Sequence, residues 1–194
     1  MLARRGATSN FLGYHGFPAV ICASPNDVIV HGIPGPRRLV AGDVVKLDVT
    51  AVKGGYVADA ARTVVLDGAP EEAHRLAACA EAAFIAALAV ARAGNRVNAI
   101  GRAVHDTVSL HGFSVVPSLE GHGVGRAIHE APSVPNWFDR RQRDVLQLEK
   151  TVVTGAATSV ASQNAAQECQ RPDSDRRYAR SRRHSRPTTA CPPP

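Results

Sequence analysis

Residues 42–68 read GDVVKLDVTAVKGGYVADAARTVVLDG: two runs rich in β-branched residues, joined at Lys53-Gly54-Gly55, each with one aspartate at its middle. Asp48 stands in LDVT and Asp59 in VADA. Such a pattern predicts a β-hairpin. With Gly54 and Gly55 as a two-residue turn, Asp48 faces Ala61 and Asp59 faces Thr50. Side chains alternate along a strand, so Asp48 and Thr50 share a face, and both aspartates project from it. Diagonal neighbours of this kind lie roughly 7–8 Å apart with their side chains closer. Two carboxylates aimed at one spot ask for a cation.

A chain of 194 residues with 44% hydrophobic content is long enough for one domain with a real core. The four cysteines, at 22, 79, 169 and 191, form no Cys-x-x-Cys pair and suggest neither a zinc ribbon nor a disulfide framework. No apolar run is read as membrane-spanning, and the first residues lack an export signal. A cytoplasmic protein without a membrane partner is expected. The net charge of +6 is uneven: residues 169–194 carry seven arginines against two aspartates, +5, which leaves +1 for residues 1–168. The basicity belongs to the tail rather than to the body.

Four segments are expected along the chain: a short lead-in over 1–10, a catalytic-type domain over 11–147, a divergent stretch over 148–168 and a disordered Arg/Pro-rich tail over 169–194. From Phe11 to Pro34, short apolar runs (19–22 and 28–30) alternate with turn residues, predicting short strands and loops leading to His31. After the hairpin, Pro70-Glu71-Glu72 opens an Ala- and Leu-rich helix over 73–93 that ends at Gly94-Asn95. A second helix is expected over 97–110, with Ile100, Val104 and Val108 along one face and a stop at His111-Gly112. A strand over 113–116 follows, then SLEGHGVGRAIHEAPSVPNW.

In that last stretch His122 lies between glycines that let the backbone carry it close to another group, and His129 follows seven residues on beside Glu130. Taken singly, each aspartate is as readily a solvated residue of a hairpin, and a lone histidine is more often structural than a ligand. Together, imidazole and carboxylates suit Zn, Mn, Fe or Co. Two such ions about 3.5–4 Å apart activate water and polarise a carbonyl, which is the chemistry of hydrolysis. His31 and His129 are then candidates for substrate contact or proton handling.

These blocks, YHGFP, VIVHGIPG, the two-aspartate hairpin and GHGVGRAIHEAPSVPNW, resemble type I methionine aminopeptidases of the bacterial kind, peptidase family M24, in order and spacing. The resemblance implies the pita-bread fold, an α+β architecture with a curved antiparallel sheet backed by helices. It implies Asp48, Asp59 and His122 as ligands of a site for nominally two divalent ions. His31 and His129 would serve as catalytic and substrate-contacting residues, and Tyr14, Phe17 and Cys22 would line the pocket for a methionine side chain. The implied substrates are peptides or nascent chains with an N-terminal methionine, met near the ribosome by a monomer.

The family's site also contains two glutamates, in a TIEPM-like and a QFEHT-like strand, and neither motif is found here. Glu149 and Glu168 are the acidic residues nearest those places in the chain, in other contexts. The expectation is a reading frame truncated at both ends, with a deletion or frame change near Leu148 and an out-of-frame tail. Two alternatives accompany the aminopeptidase reading: a non-catalytic remnant or metal-binding pseudoenzyme, and a protein that binds nucleic acid or the ribosome through its basic tail.

Overall fold

Gly54 and Gly55 form the expected turn, with φ of 59° and 78°. These are values that glycine adopts without steric cost and that the two central residues of a tight hairpin turn require. The computed structural model of the chain describes residues 1–148, 151–154 and 160–161. Strands β1 (Cys22–Pro25), β2 (Val44–Lys53) and β3 (Tyr56–Val65) form an antiparallel sheet in that order. The register is the expected one, with Asp48 opposite Ala61 and Thr50 opposite Asp59. On the other side of β2, Cys22 pairs with Asp48. The first residues join this sheet as well: Thr8 and Val52 exchange backbone hydrogen bonds, and Ala7 is buried.

Of the short strands expected before His31, only β1 forms. Residues 28–30 run as a loop whose end returns beside β1, where Ala23 N–H donates to the Gly32 carbonyl and Gly32 N–H donates to Ser24 Oγ. These two bonds hold the segment, so it makes no ladder of its own. Farther along, Asp43 is buried and accepts hydrogen bonds from Asn26, from the Val40 N–H and from Arg37. Those bonds hold its carboxyl at about 2, below the usual carboxylate range. They tie both ends of the loop carrying His31 to the start of β2.

Helix α1 (Glu71–Val90) follows Pro70, with Glu71 and Glu72 at its positive N-terminal end. It stops four residues before Gly94, and Asn95 Nδ2 donates to the Val90 carbonyl beyond its end. By length and composition α1 is apolar enough to cross a membrane, contrary to the reading that no run qualifies. Here it carries Cys79, Ala83 and Ala87 into the core against α2 (Val97–Leu110). On α2 the residues Val97, Ile100, Val104 and Val108 are at most 1% exposed, one face of a helix with its stripe turned inward. At 1.5–3 kcal/mol each, their burial is a main source of stability for this half.

The remaining strands are β4 (Ser114–Val115), β5 (Gly121–Val124), β6 (Glu130–Val134), β7 (Thr151–Val153) and β8 (Val160–Ala161). β5 lies between β6 and β7, and β4 pairs with β8. The Val57 N–H donates to the Gly125 carbonyl and links the hairpin to the end of β5. A second cluster, Phe11, Cys22, Val57, Val124 and Ile128, packs between them.

Gly101 shows how closely α2 is packed. A Cβ there would lie 2.2 Å from the Trp137 carbonyl oxygen and 2.6 Å from that of Pro135. Gly101→Ala should therefore lower stability by about 1–3 kcal/mol despite the better helix propensity of alanine. Thermal melting reads this directly: an unchanged or raised midpoint would contradict the packing described.

Candidate metal centre

Asp48 and Asp59 reach one cavity of 1380 Å³ from neighbouring strands, and His122 enters it from β5. Glycines on both sides of His122 make this approach possible. A Cβ on Gly121 would lie 2.0 Å from the Val153 carbonyl oxygen, and one on Gly123 would lie 2.4 Å from that of Ala131. With no side chains there, β6 and β7 close tightly on β5, which fixes the backbone from which the imidazole projects into the cavity.

The His122 ring is oriented by its own backbone, its Nδ1–H donating to the Gly123 carbonyl at 2.9 Å. A carbonyl can only accept, so the neutral ring keeps its proton on Nδ1 and turns the Nε2 lone pair outward. Nε2 lies 3.6 Å from Asp59 Oδ2. Two acceptors thus face each other, and a proton or a metal ion is what such a pair binds. Burial pulls the imidazole pKa down, but Asp59, the Gly123 carbonyl and Asp48 outweigh it and hold the group above its ordinary value.

Asp48 is still more constrained. Its Oδ1 is buried without a hydrogen-bond partner among the described residues. Burial, then the charge of Asp59, pushes its carboxyl up to about 7. Cys22, opposite Asp48 on β1, feels the same field: burial, Asp48 and Asp59 push its thiol up to about 12, so it stays protonated.

The other expected residues line the same cavity. Tyr14, Phe17, Cys22, His31 and His129 all reach it. Tyr14 Oη lies 3.2 Å from His129 Nδ1, and the His129 ring packs edge-on to His122 with centroids 4.3 Å apart. Burial and the neighbouring His122 lower the His129 pKa, favouring the neutral ring. His31 is exposed and has a left-handed backbone, φ 56°, a conformation uncommon outside glycine and frequent at functional sites.

Asp48, Asp59 and His122 are the nitrogen and oxygen donors that suit a divalent cation, and the orphaned Asp48 oxygen and the outward Nε2 fit one. Among the described residues, no three His, Cys, Asp or Glu side chains are already drawn to a finished coordination sphere. Glu149 and Glu168 lie outside the described residues, as does the arginine-rich tail. The sequence reading passed over a closer carboxylate, Glu120, which lines the cavity and accepts a hydrogen bond from Ser133 Oγ. Its signal was its place in the sequence: Glu120 stands two residues before His122, just ahead of β5.

The family model of metallopeptidase family M24 matches residues 1–160. Methionine aminopeptidase 2 of Bacillus subtilis is 40% identical over 168 residues, 82% of this chain and 68% of that protein. The methionine aminopeptidase of Escherichia coli is 37% identical over 142 residues, 73% of this chain and 54% of its own length. The chain thus spans about half to two thirds of the curated relatives it matches. The solved methionine aminopeptidase of Thermotoga maritima superposes with a TM-score of 0.75 at 27% identity, over 84% of this chain and 72% of that one. With prolidase-type structures also matching, the fold is the expected α+β pita-bread architecture. These relatives lend no support to a nucleic-acid-binding or non-catalytic reading.

The buried carboxylate has a consequence for stability. With its folded pKa raised from about 3.9 in the unfolded chain to about 7, Asp48 holds its proton more tightly when folded. The stability this provides is complete below the unfolded value and lost as pH rises through the folded one. In chelator-treated protein, the melting temperature of wild type relative to Asp48→Asn should fall between pH 5 and pH 8. A constant difference across that range would exclude Asp48 as the source.

Proposed function

The chain belongs to metallopeptidase family M24, and we propose that it is a metal-dependent aminopeptidase that removes the N-terminal initiator methionine from peptides and nascent chains in the cytoplasm. The observation that carries this reading is the pairing of two acceptors, His122 Nε2 and Asp59 Oδ2, 3.6 Å apart beside the orphaned Asp48 oxygen.

Membership of the family implies a divalent metal cofactor. In the proposed site Asp48, Asp59 and His122 hold it, with Co, Mn, Fe and Zn all compatible with nitrogen and oxygen donors. When bound, such a cation supplies Lewis-acid polarisation of a peptide carbonyl and a water acidified enough to attack at neutral pH. Three ligands suffice for one cation; a family-type pair of ions needs further carboxylates.

The chain's own residues do the rest. Tyr14, Phe17 and Cys22 present an apolar, uncharged wall suited to a methionine side chain, and the protonated thiol adds no charge to it. His129, kept neutral and hydrogen-bonded to Tyr14, is placed to donate or accept a hydrogen bond at the scissile peptide group. His31 reaches the cavity from the opposite loop, held there by the Asp43 and Ser24 contacts, and serves as the second substrate contact.

With Mn or Co supplied, the folded protein should release methionine from Met-Ala and Met-Gly peptides, and chelation should abolish this. His129→Ala should cut kcat/KM by about 10²–10⁴-fold, the range for loss of one acid–base group, with metal affinity little changed. Free methionine measured by chromatography decides it. No release from a folded, metal-supplied sample would refute the activity.

A further inference from the structure

Thr50 is the residue whose chemistry the site has not yet used. Its side chain is 0% exposed, and its Oγ1 finds no hydrogen-bond partner among the described residues. It lies directly opposite Asp59 in the β2–β3 ladder and two residues along β2 from Asp48, on the same face. Val would fill nearly the same volume and suits a strand equally well. Nothing in the packing of β2 calls for a hydroxyl, and a buried hydroxyl without a partner is costly. Buried polar groups of this kind are satisfied in some state of the molecule.

The two buried side-chain polar atoms without a partner among the described residues, Thr50 Oγ1 and Asp48 Oδ1, occur on one strand and one face, and both flank Asp59. Directly opposed residues of an antiparallel pair have Cβ atoms about 4.5–5.5 Å apart. A change of side-chain rotamer therefore brings the Thr50 hydroxyl to the Asp59 carboxylate. Asp59 Oδ2 lies 3.6 Å from His122 Nε2, so the carboxylate that Thr50 would reach is one that already faces the imidazole.

We propose that Thr50 is a positioning residue for the cation site, its hydroxyl donating a hydrogen bond to the Asp59 carboxylate when Asp48, Asp59 and His122 bind a divalent ion. It touches neither substrate nor cation and acts through Asp59, as partners behind a ligand commonly do. The inference rests on the metal reading given above and adds to it the reason why a threonine stands under the two aspartates. The hydroxyl is a liability in the metal-free protein and becomes useful on binding.

Mn(II) titration by calorimetry, with thermal melting of chelator-treated samples, tests this on the full chain. Thr50→Val should melt at the same temperature as wild type or higher, yet bind Mn(II) about 10–100-fold more weakly. Thr50→Ser, which keeps the hydroxyl, should bind within about threefold of wild type on the same reasoning. Should Thr50→Val fail to fold, Thr50→Ala compared with Thr50→Ser isolates the hydroxyl alone. Wild-type affinity in Thr50→Val, or equal losses in the Ser and Ala variants, would overturn the positioning role while leaving the metal site standing. No Mn(II) binding by folded wild-type protein would overturn both.

Discussion

Three acceptors with too few protons among them govern this half of the molecule. Asp48 and Asp59 face one cavity, and His122, its Nδ1 proton committed to the Gly123 carbonyl, adds a lone pair 3.6 Å from Asp59. In water such a group of charges would separate. Here the β2–β3 ladder and the closure of β6 and β7 on β5 prevent that, so the electrostatic conflict is fixed by the backbone. Its marks spread outward: a raised Asp48, a Cys22 thiol kept protonated and a His122 that gains basicity despite burial. Perturbed groups gathered in one cleft are a physical signature of a working site.

Glycine is what makes the fixing possible. Gly54 and Gly55 set the register that puts Thr50 opposite Asp59, since a slip of one residue would move one aspartate to the other face. Gly121 and Gly123 act differently, by lacking a Cβ where neighbouring carbonyl oxygens come within 2.0 and 2.4 Å of its place. One pair governs conformation and the other close approach, and both serve to bring side chains from separate strands into one space.

Much of this was legible in the chain. The hairpin, its register and α2 could be read because each follows a local rule: turn chemistry with period-two alternation in one, a period near 3.6 in the other. His122 could be singled out by its flanking glycines. The run at 28–30 misled because β-branched composition marks a strand only where a partner strand exists, and here Ala23 and Ser24 capture the segment with two hydrogen bonds. Helix α1 was underrated as an apolar element because its alanines look mild singly, although Cys79, Ala83 and Ala87 are wholly or almost wholly buried together. Glu120 and Thr50 escaped for a different reason. Thr50 matters through the strand face it shares with Asp48, and Glu120 through the cavity it lines beside His122, and neither residue type announces this.

The division of the core bears on how site and fold depend on each other. The larger apolar cluster, centred on α1 and α2, contains neither aspartate and borrows Val134 from β6 and Leu146 from the chain beyond. The smaller one, Phe11, Cys22, Val57, Val124 and Ile128, lines the same cavity as the three acceptors. A ligand that neutralises them stabilises the folded state by binding it alone, and that gain falls on the smaller cluster and the hairpin. The helical half owes its stability to apolar burial and has little electrostatic stake in the site. The strand half carries a buried polar face against a modest core, so its order is coupled to what that face binds. In the proposed site, ligand binding and local stability are therefore one problem, since a cation held there would join donors from two separate sheets.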